Sequence, residues 1–316
     1  MALYNRAKAR QAEQAHPPMG QFMEVDGVRL HFVERGQGEP LVLLHGRGTM
    51  IEDFELSGVL DMAAAGHRVV AFDRPGFGHS ERPRDRLWTP VAQAELLLRA
   101  LDRLDVDRAI LLGHSWGTMV ANALALGHPD RVRGLVLVSG YYFPTLRKEV
   151  PLQAPMAIPV VGDVMRYTVS PLLSALLLPK AERKLFEPLP VPERFRQGFP
   201  HALTLRPSQL RATGEDTAFE VPAAMVLQNH YRELKMPIVI VVGTDDQIVD
   251  VDRQSRRLHA ELPGSDLITV PGAGHMVHYK APDRVMAAVE LVERRAGEVN
   301  TAAARPAEPA RATQSL

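Results

Sequence analysis

The segment Gly113-His114-Ser115-Trp116-Gly117 sets a hydroxyl between two glycines, directly after the apolar run Ala109 to Leu112 and before an Ala-rich stretch. A strand that turns at once into a helix forces the central residue into a strained backbone conformation. Side chains two positions to either side would then collide, which explains glycine at 113 and 117. Such a bend lifts the Ser115 hydroxyl above the sheet edge, beside a helix N-terminus that favours developing negative charge. The chemistry this suggests is nucleophilic attack by Ser115 on a carbonyl carbon.

A serine of ordinary pKa needs a base. Among 12 histidines, His275 in the glycine-rich stretch Pro271 to His275 is the best placed, because it follows the last apolar run and precedes the last helical segment. His278 is its rival. His114 sits inside the bend and suits a packing hydrogen bond. His16, His67, His128, His201, His230 and His259 lie in surface-like or inserted contexts. The base needs an orienting carboxylate, and Asp245-Asp246 follow the run Ile238 to Gly243. Asp246 is the first choice and Asp245 the second, and one of the two is expected to cap the helix at Val251. The resulting order is nucleophile, acid, base.

An oxyanion site is the fourth requirement. Leu41 to Leu44 run into His45-Gly46-Arg47-Gly48, where glycines let the backbone approach a substrate. The N–H groups of Arg47 and Trp116 are the expected donors. His45, Gly46, Gly48, Gly113, His114 and Gly117 are expected to support the two loops. His275, His278 and His45 form a conceivable metal set, but no carboxylate cluster accompanies them and glycine-rich loops fix ligands poorly. No metal and no organic cofactor is therefore expected.

The elements that must hold these residues follow a simple alternation. Leu41–Leu44, Val69–Phe72, Ala109–Leu112, Leu135–Val138 and Ile238–Val242 are continuous apolar runs, suited to strands buried on both faces of a parallel sheet, with Ile268–Val270 a weaker sixth. Val25 and Val28–Val33 flank Asp26-Gly27, which predicts a hairpin over a type I′ turn. Helical spacing marks Phe54–Ala65, Val91–Leu104, Trp116–Leu126, Val251–Leu262 and Asp283–Arg295. The fold class expected is α/β, a mostly parallel, doubly wound sheet with an N-terminal β-hairpin. The alternation breaks from Tyr141 to Met236, which holds twelve of the 25 prolines and no strand candidate. Leu172–Leu178 and Pro222–Leu227 predict brief helices punctuated by proline. The expected domains are a tail or short helix over 1–20, a core over 21–140 and 237–298, a helical cap over 141–236 and a disordered tail over 299–316.

Composition narrows the class. Lys+Arg and Asp+Glu are both 37, so no global field draws nucleic acid. Hydrophobic residues are 46% and Cys is 0, which excludes a disulfide framework, a zinc–thiolate site and a cysteine nucleophile. No run reaches the roughly 18 apolar residues of a membrane span. Arg6, Lys8 and Arg10 lead into no apolar stretch of a signal peptide, so a cytoplasmic location is expected.

LVLLHGRG, Asp73-Arg-Pro-Gly-Phe-Gly-His-Ser80, GHSWG, GTDDQIV and PGAGHMVH together resemble the α/β-hydrolase superfamily over Phe22 to Ala296. The resemblance implies an acid three residues after the strand-ending glycine, at Asp246. It implies that Asp73–Ser80 shapes the pocket floor and that 141–236 is a lid after core strand six. Epoxide hydrolases and haloalkane dehalogenases of this type use an aspartate at the bend. Ser115 therefore fits acyl transfer better than alkyl transfer. Arg47 departs from the family's usual oxyanion loop, and its side chain either points away or meets an anionic substrate.

The expected function is a serine hydrolase acting on a small-molecule carboxylic ester or related acyl compound, with an apolar acyl substrate as the expected partner. The alternatives are a C–C bond hydrolase or a cofactor-free perhydrolase/haloperoxidase on the same residues. A ligand-binding receptor on the same fold is the non-enzyme alternative.

Overall fold

A computed structural model describes residues 2–146 and 150–303. Its eight strands form one sheet in the order β1-β2-β4-β3-β5-β6-β7-β8. They are β1 Gln21–Val25, β2 Val28–Arg35, β3 Glu39–Leu44, β4 His67–Phe72, β5 Ala109–His114, β6 Val132–Val138, β7 Ile238–Gly243 and β8 Asp266–Val270. β1 and β2 pair antiparallel, and Asp26 and Gly27 between them both have positive φ, 51° and 73°, as a type I′ turn requires. β2 also runs antiparallel to β4, and every other neighbouring pair is parallel.

The unbroken apolar runs have a direct cause in this arrangement. Leu41, Leu43, Ile110, Leu112, Val136, Val138, Val239 and Val241 enter one core, and Val42, Leu44, Leu111, Leu135, Leu137, Ile238 and Ile240 enter the other. Successive residues point to opposite faces, so a strand covered on both sides must be apolar throughout. The first core is closed by α2 Glu52–Ser57, α3 Val59–Ala64 and α14 Pro282–Ala303, the second by α4 Pro90–Arg103, α5 Gly117–Gly127 and α12 Arg257–Glu261.

Several helices differ from the sequence expectation. Gly58, at φ 86°, divides the helix expected over Phe54–Ala65 into α2 and α3, because a left-handed glycine ends one helix and the next starts from it. The helix expected from Val251 begins with a π-wound turn, Asp252–Arg256, before α12. The N-terminal residues form a helix, α1 Ala2–Ala15, ending before Pro17-Pro18. At the other end α14 continues through Ala303, so residues 299–303 are helical rather than tail, and 304–316 lie outside the described residues.

Between β6 and β7 the described residues hold helices and no strand: α6 Val150–Gln153, α7 Val161–Tyr167, α8 Ser170–Phe186, α9 Glu193–Gly198, α10 His201–Thr204 and α11 Pro207–Leu227. Two are longer than the prolines suggest. Pro179 lies inside the 17-residue α8 and Pro222 inside the 21-residue α11. Each proline removes one backbone hydrogen bond, and the helix nevertheless continues past it. α13, Val277–Lys280, completes the set. Among the described residues no single helix is long and apolar enough to cross a membrane.

Candidate active site

Ser115 leaves β5 at φ 51°, in the left-handed region, while its N–H still bonds the Val138 carbonyl at 2.8 Å. A Cβ on Gly113 would stand 2.8 Å from the Gly117 backbone, and one on Gly117 would stand 2.1 Å from the Leu44 carbonyl oxygen. The first glycine therefore allows the bend to close on itself, and the second allows it to seat against the end of β3.

The loop after β8 carries His275 to this bend. Its Nε2 lies 2.9 Å from Ser115 Oγ and its Nδ1 lies 2.8 Å from Asp246 Oδ2. Both the imidazole and the carboxylate are buried. Asp246 Oδ1 accepts the Ile248 and Val249 N–H groups at 2.8 and 3.0 Å, which holds the carboxylate in place. A carboxylate accepts only, so Nδ1 donates to it and Nε2 is left to accept from the serine hydroxyl.

The rival residues go elsewhere. Asp245 is exposed and accepts the Thr244 hydroxyl at 2.7 Å. Neither member of the pair caps the helix after Val251; Asp250 does, accepting the Arg253 N–H at 2.9 Å. His278 is buried with Nε2 3.3 Å from Asp53 Oδ2, behind the bend rather than at the hydroxyl. His114 donates from Nε2 to the His275 carbonyl at 3.2 Å, with its ring 4.4 Å from that of His278. Burial first, then His278 and His275, hold His114 well below the usual histidine range. His67 proves buried, with Nε2 2.9 Å from Glu293.

His45 is also committed. Its Nδ1 donates to the Gly46 carbonyl at 2.7 Å and its Nε2 accepts the Arg74 N–H at 2.9 Å. Burial, with the neighbouring Arg74 charge, lowers its pKa to about 3, so the ring is neutral. His45, His275 and His278 thus each serve a different partner. Among the described residues the donors that do gather are Asp53, His114 and His278, within 4.8 Å of one another.

Gly46 abuts the bend. A Cβ there would lie 3.2 Å from Ser115 Cβ and 3.1 Å from His114 Nδ1, so the loop that carries Arg47 is seated against the bend. Gly48, at φ 79°, turns the chain away. The Arg47 side chain points into the insertion and pairs with Glu220 of α11 at 3.0 Å. A cavity of about 400 Å³ opens from Arg47, Gly48 and Thr49 toward Met156, Leu173 and Leu177.

One buried centre escaped the sequence reading. Arg74 donates to the His45 and Gly46 carbonyls at 2.9 and 3.0 Å and to Asp216 of α11 at 2.8 Å, and its guanidinium lies 4.5 Å from the Trp116 ring. The Trp116 indole N–H donates to the Asp216 carbonyl at 3.1 Å. The Asp73–Ser80 motif signals that Arg74 matters, but no local pattern marks Asp216 as its partner.

Comparison with known proteins follows the same outline. The family described as alpha/beta hydrolase fold matches residues 39–282. Haloalkane dehalogenase 2 of Mycobacterium bovis is 28% identical over 286 residues, 87% of this chain and 95% of that protein. The 2-hydroxymuconate semialdehyde hydrolase of Pseudomonas sp. strain CF600 is 38% identical over 138 residues, 42% of this chain and 48% of that protein. A thermophilic esterase of Thermogutta terrifontis superposes with a TM-score of 0.66 at 22% identity, covering 88% of this chain and 99% of the esterase.

Proposed function

The chain belongs to the alpha/beta hydrolase fold family, and we propose that it is a serine hydrolase cleaving a small-molecule carboxylic ester through an acyl-enzyme. His275 Nε2 takes the Ser115 proton as Oγ attacks the ester carbonyl. Asp246 accepts from Nδ1–H and stabilises the imidazolium. The N–H groups of Arg47 and Trp116 hold the oxyanion. The alkoxide leaves with the proton from His275. Water, deprotonated by the same ring, then attacks the acyl carbon and frees the carboxylic acid and Ser115. The residues themselves supply every proton transfer in this sequence.

The observation that carries this reading is the continuous chain Ser115 Oγ, His275 Nε2, His275 Nδ1, Asp246 Oδ2, with links of 2.9 and 2.8 Å. The apolar cavity under helices α6–α11, which we read as a cap, favours an apolar acyl group. Serine at the bend favours an acyl over an alkyl intermediate, so dehalogenation is not the reaction proposed, despite the dehalogenase relative. We retain the sequence expectation that the enzyme works in the cytoplasm without a cofactor.

A second reading, C–C bond hydrolysis, is favoured by the local 38% identity to 2-hydroxymuconate semialdehyde hydrolase. The test is a chain-length series of p-nitrophenyl esters set beside 2-hydroxymuconate semialdehyde and a peracid assay. Ester turnover that falls about 10³-fold or more in Ser115→Ala supports the first reading. Turnover confined to the semialdehyde selects the second, and Ser115→Ala turnover equal to wild type overturns both.

A further inference from the structure

Most of the large apolar side chains that the described residues leave in solvent stand on the cap and on α1 beside it. Val160 is 73% exposed ahead of α7, and Val164 is 61% exposed on it. Leu172 and Leu176, 51% and 77% exposed, continue the face along α8. α1 joins the corner between these helices. Asn5 Nδ2 donates to the Tyr167 carbonyl at 2.8 Å, and the Arg6 guanidinium lies 5.3 Å from the Tyr167 ring. Leu3 and Tyr4 of α1 are exposed as well. Large apolar side chains gathered on neighbouring elements in this way mark an interaction site rather than scattered ordinary surface.

The charges around the face select its occupant. α1 carries Arg6, Lys8 and Arg10, and its one acid, Glu13, pairs with Arg206 at 2.9 Å. Lys180, Arg183 and Lys184 are exposed along the last turns of α8, whose one acid, Glu182, pairs with His201 at 2.7 Å. The chain as a whole has formal charge +0, so this excess of cations is local. An apolar face rimmed by arginine and lysine matches the boundary between anionic headgroups and acyl chains.

Shape and continuity point the same way. α7 and α8 together are apolar and long enough to pass as a membrane span, but they bend by 68° at their junction. A bent pair tied to a folded core lies along an interface more readily than through it. Leu173 and Leu177, on the same helix as Leu172 and Leu176, line the cavity. Beyond them the end of α8 meets the histidine loop, where Leu185 accepts the Met276 N–H at 3.3 Å.

We propose that the face built by α1, α7 and α8 docks on membranes containing anionic lipid, with its valines and leucines in the headgroup–acyl boundary. The link from this face to the cavity rests on the serine-hydrolase reading, and the docking itself does not.

The test is co-sedimentation of the full chain carrying Ser115→Ala, which scores binding without turnover. The probes are vesicles of equimolar phosphatidylglycerol and phosphatidylcholine, and vesicles of phosphatidylcholine alone. Binding to the anionic vesicles is expected, weaker at high salt and weaker on phosphatidylcholine alone. The Val164→Asp/Leu176→Asp variant is expected to bind about tenfold more weakly or worse, as is a variant with Arg6, Lys8 and Arg10 changed to Gln. Circular dichroism melting checks that each variant is folded, and with Ser115 intact the cap variant should keep wild-type turnover of p-nitrophenyl acetate. No sedimentation with anionic vesicles overturns the proposal. So does undiminished binding by a folded cap variant, or a dimer that the cap substitutions dissolve while the parent ignores vesicles.

Discussion

Arg74 Nη1 donates to Asp216 Oδ2 at 2.8 Å with both side chains wholly buried, although 142 residues separate them. The same guanidinium holds the carbonyls of His45 and Gly46, so one cation joins cap helix α11 to the loop beside Ser115. Asp216 also accepts from Arg82 at 3.1 Å. Two buried cations thus share one carboxylate.

Removing that carboxylate should be costly. Asp216→Ala leaves Arg74 and Arg82 buried beside no opposing charge at this position, and the expected loss is about 3–5 kcal/mol. Urea unfolding of the variant measures it. A loss below about 1 kcal/mol would mean that the pair does not hold cap to core.

Asp246 and Asp245 should separate cleanly in kinetics. Asp246→Asn replaces the acceptor of the His275 Nδ1–H and is expected to lower kcat by about 10⁴-fold. Asp245→Asn changes an exposed group that bonds Thr244, and its kcat should stay within about twofold of wild type. Equal effects from the two would refute the assignment of Asp246.

Two glycine substitutions should differ for a steric reason. Gly117→Ala drives a Cβ to 2.1 Å from the Leu44 carbonyl oxygen, and a loss of about 3 kcal/mol or more is expected. Gly48→Ala meets open space and suffers only the strain of φ 79°, about 1–2 kcal/mol. Thermal or urea denaturation ranks them, and the reverse order would show that the bend tolerates the added carbon.

Glu52 gives a pH signature. Burial, reinforced by the Asp73 carboxylate, raises its pKa to about 8 from 4.5. The folded chain therefore keeps a proton there that the unfolded chain releases. This contribution to stability is whole below the unfolded value, declines as pH rises, and is gone once pH passes the folded value. Glu52→Gln removes the titration, so the variant should gain on wild type between about pH 5 and pH 8 and gain nothing beyond. Urea midpoints of both proteins across that range decide it, and a constant difference would contradict the buried, protonated carboxyl.

The parts legible from sequence share one property: each sits in a short turn after an apolar run. Ser115, Asp246 and His275 leave β5, β7 and β8 at the same sheet edge, so chain-local patterns bring them to notice. Arg74 with Asp216, Arg47 with Glu220 and His278 with Asp53 were not legible, because each pairing is made by tertiary contact between distant segments. Gly58 shows another gap. Helical spacing runs through it, and only the left-handed backbone reveals that the helix stops. Pro179 and Pro222 mislead in the opposite direction, since α8 and α11 continue past them.

Covalent labelling of Ser115 by a fluorophosphonate tests the central claim most directly, because it asks whether the imidazole 2.9 Å away makes that oxygen reactive. Intact mass and peptide mapping should find one adduct per chain, on Ser115. Ser115→Ala should take none, and His275→Ala should label about 10²-fold more slowly or worse. An unlabelled wild-type chain, or a His275→Ala variant labelled at the wild-type rate, would contradict the account.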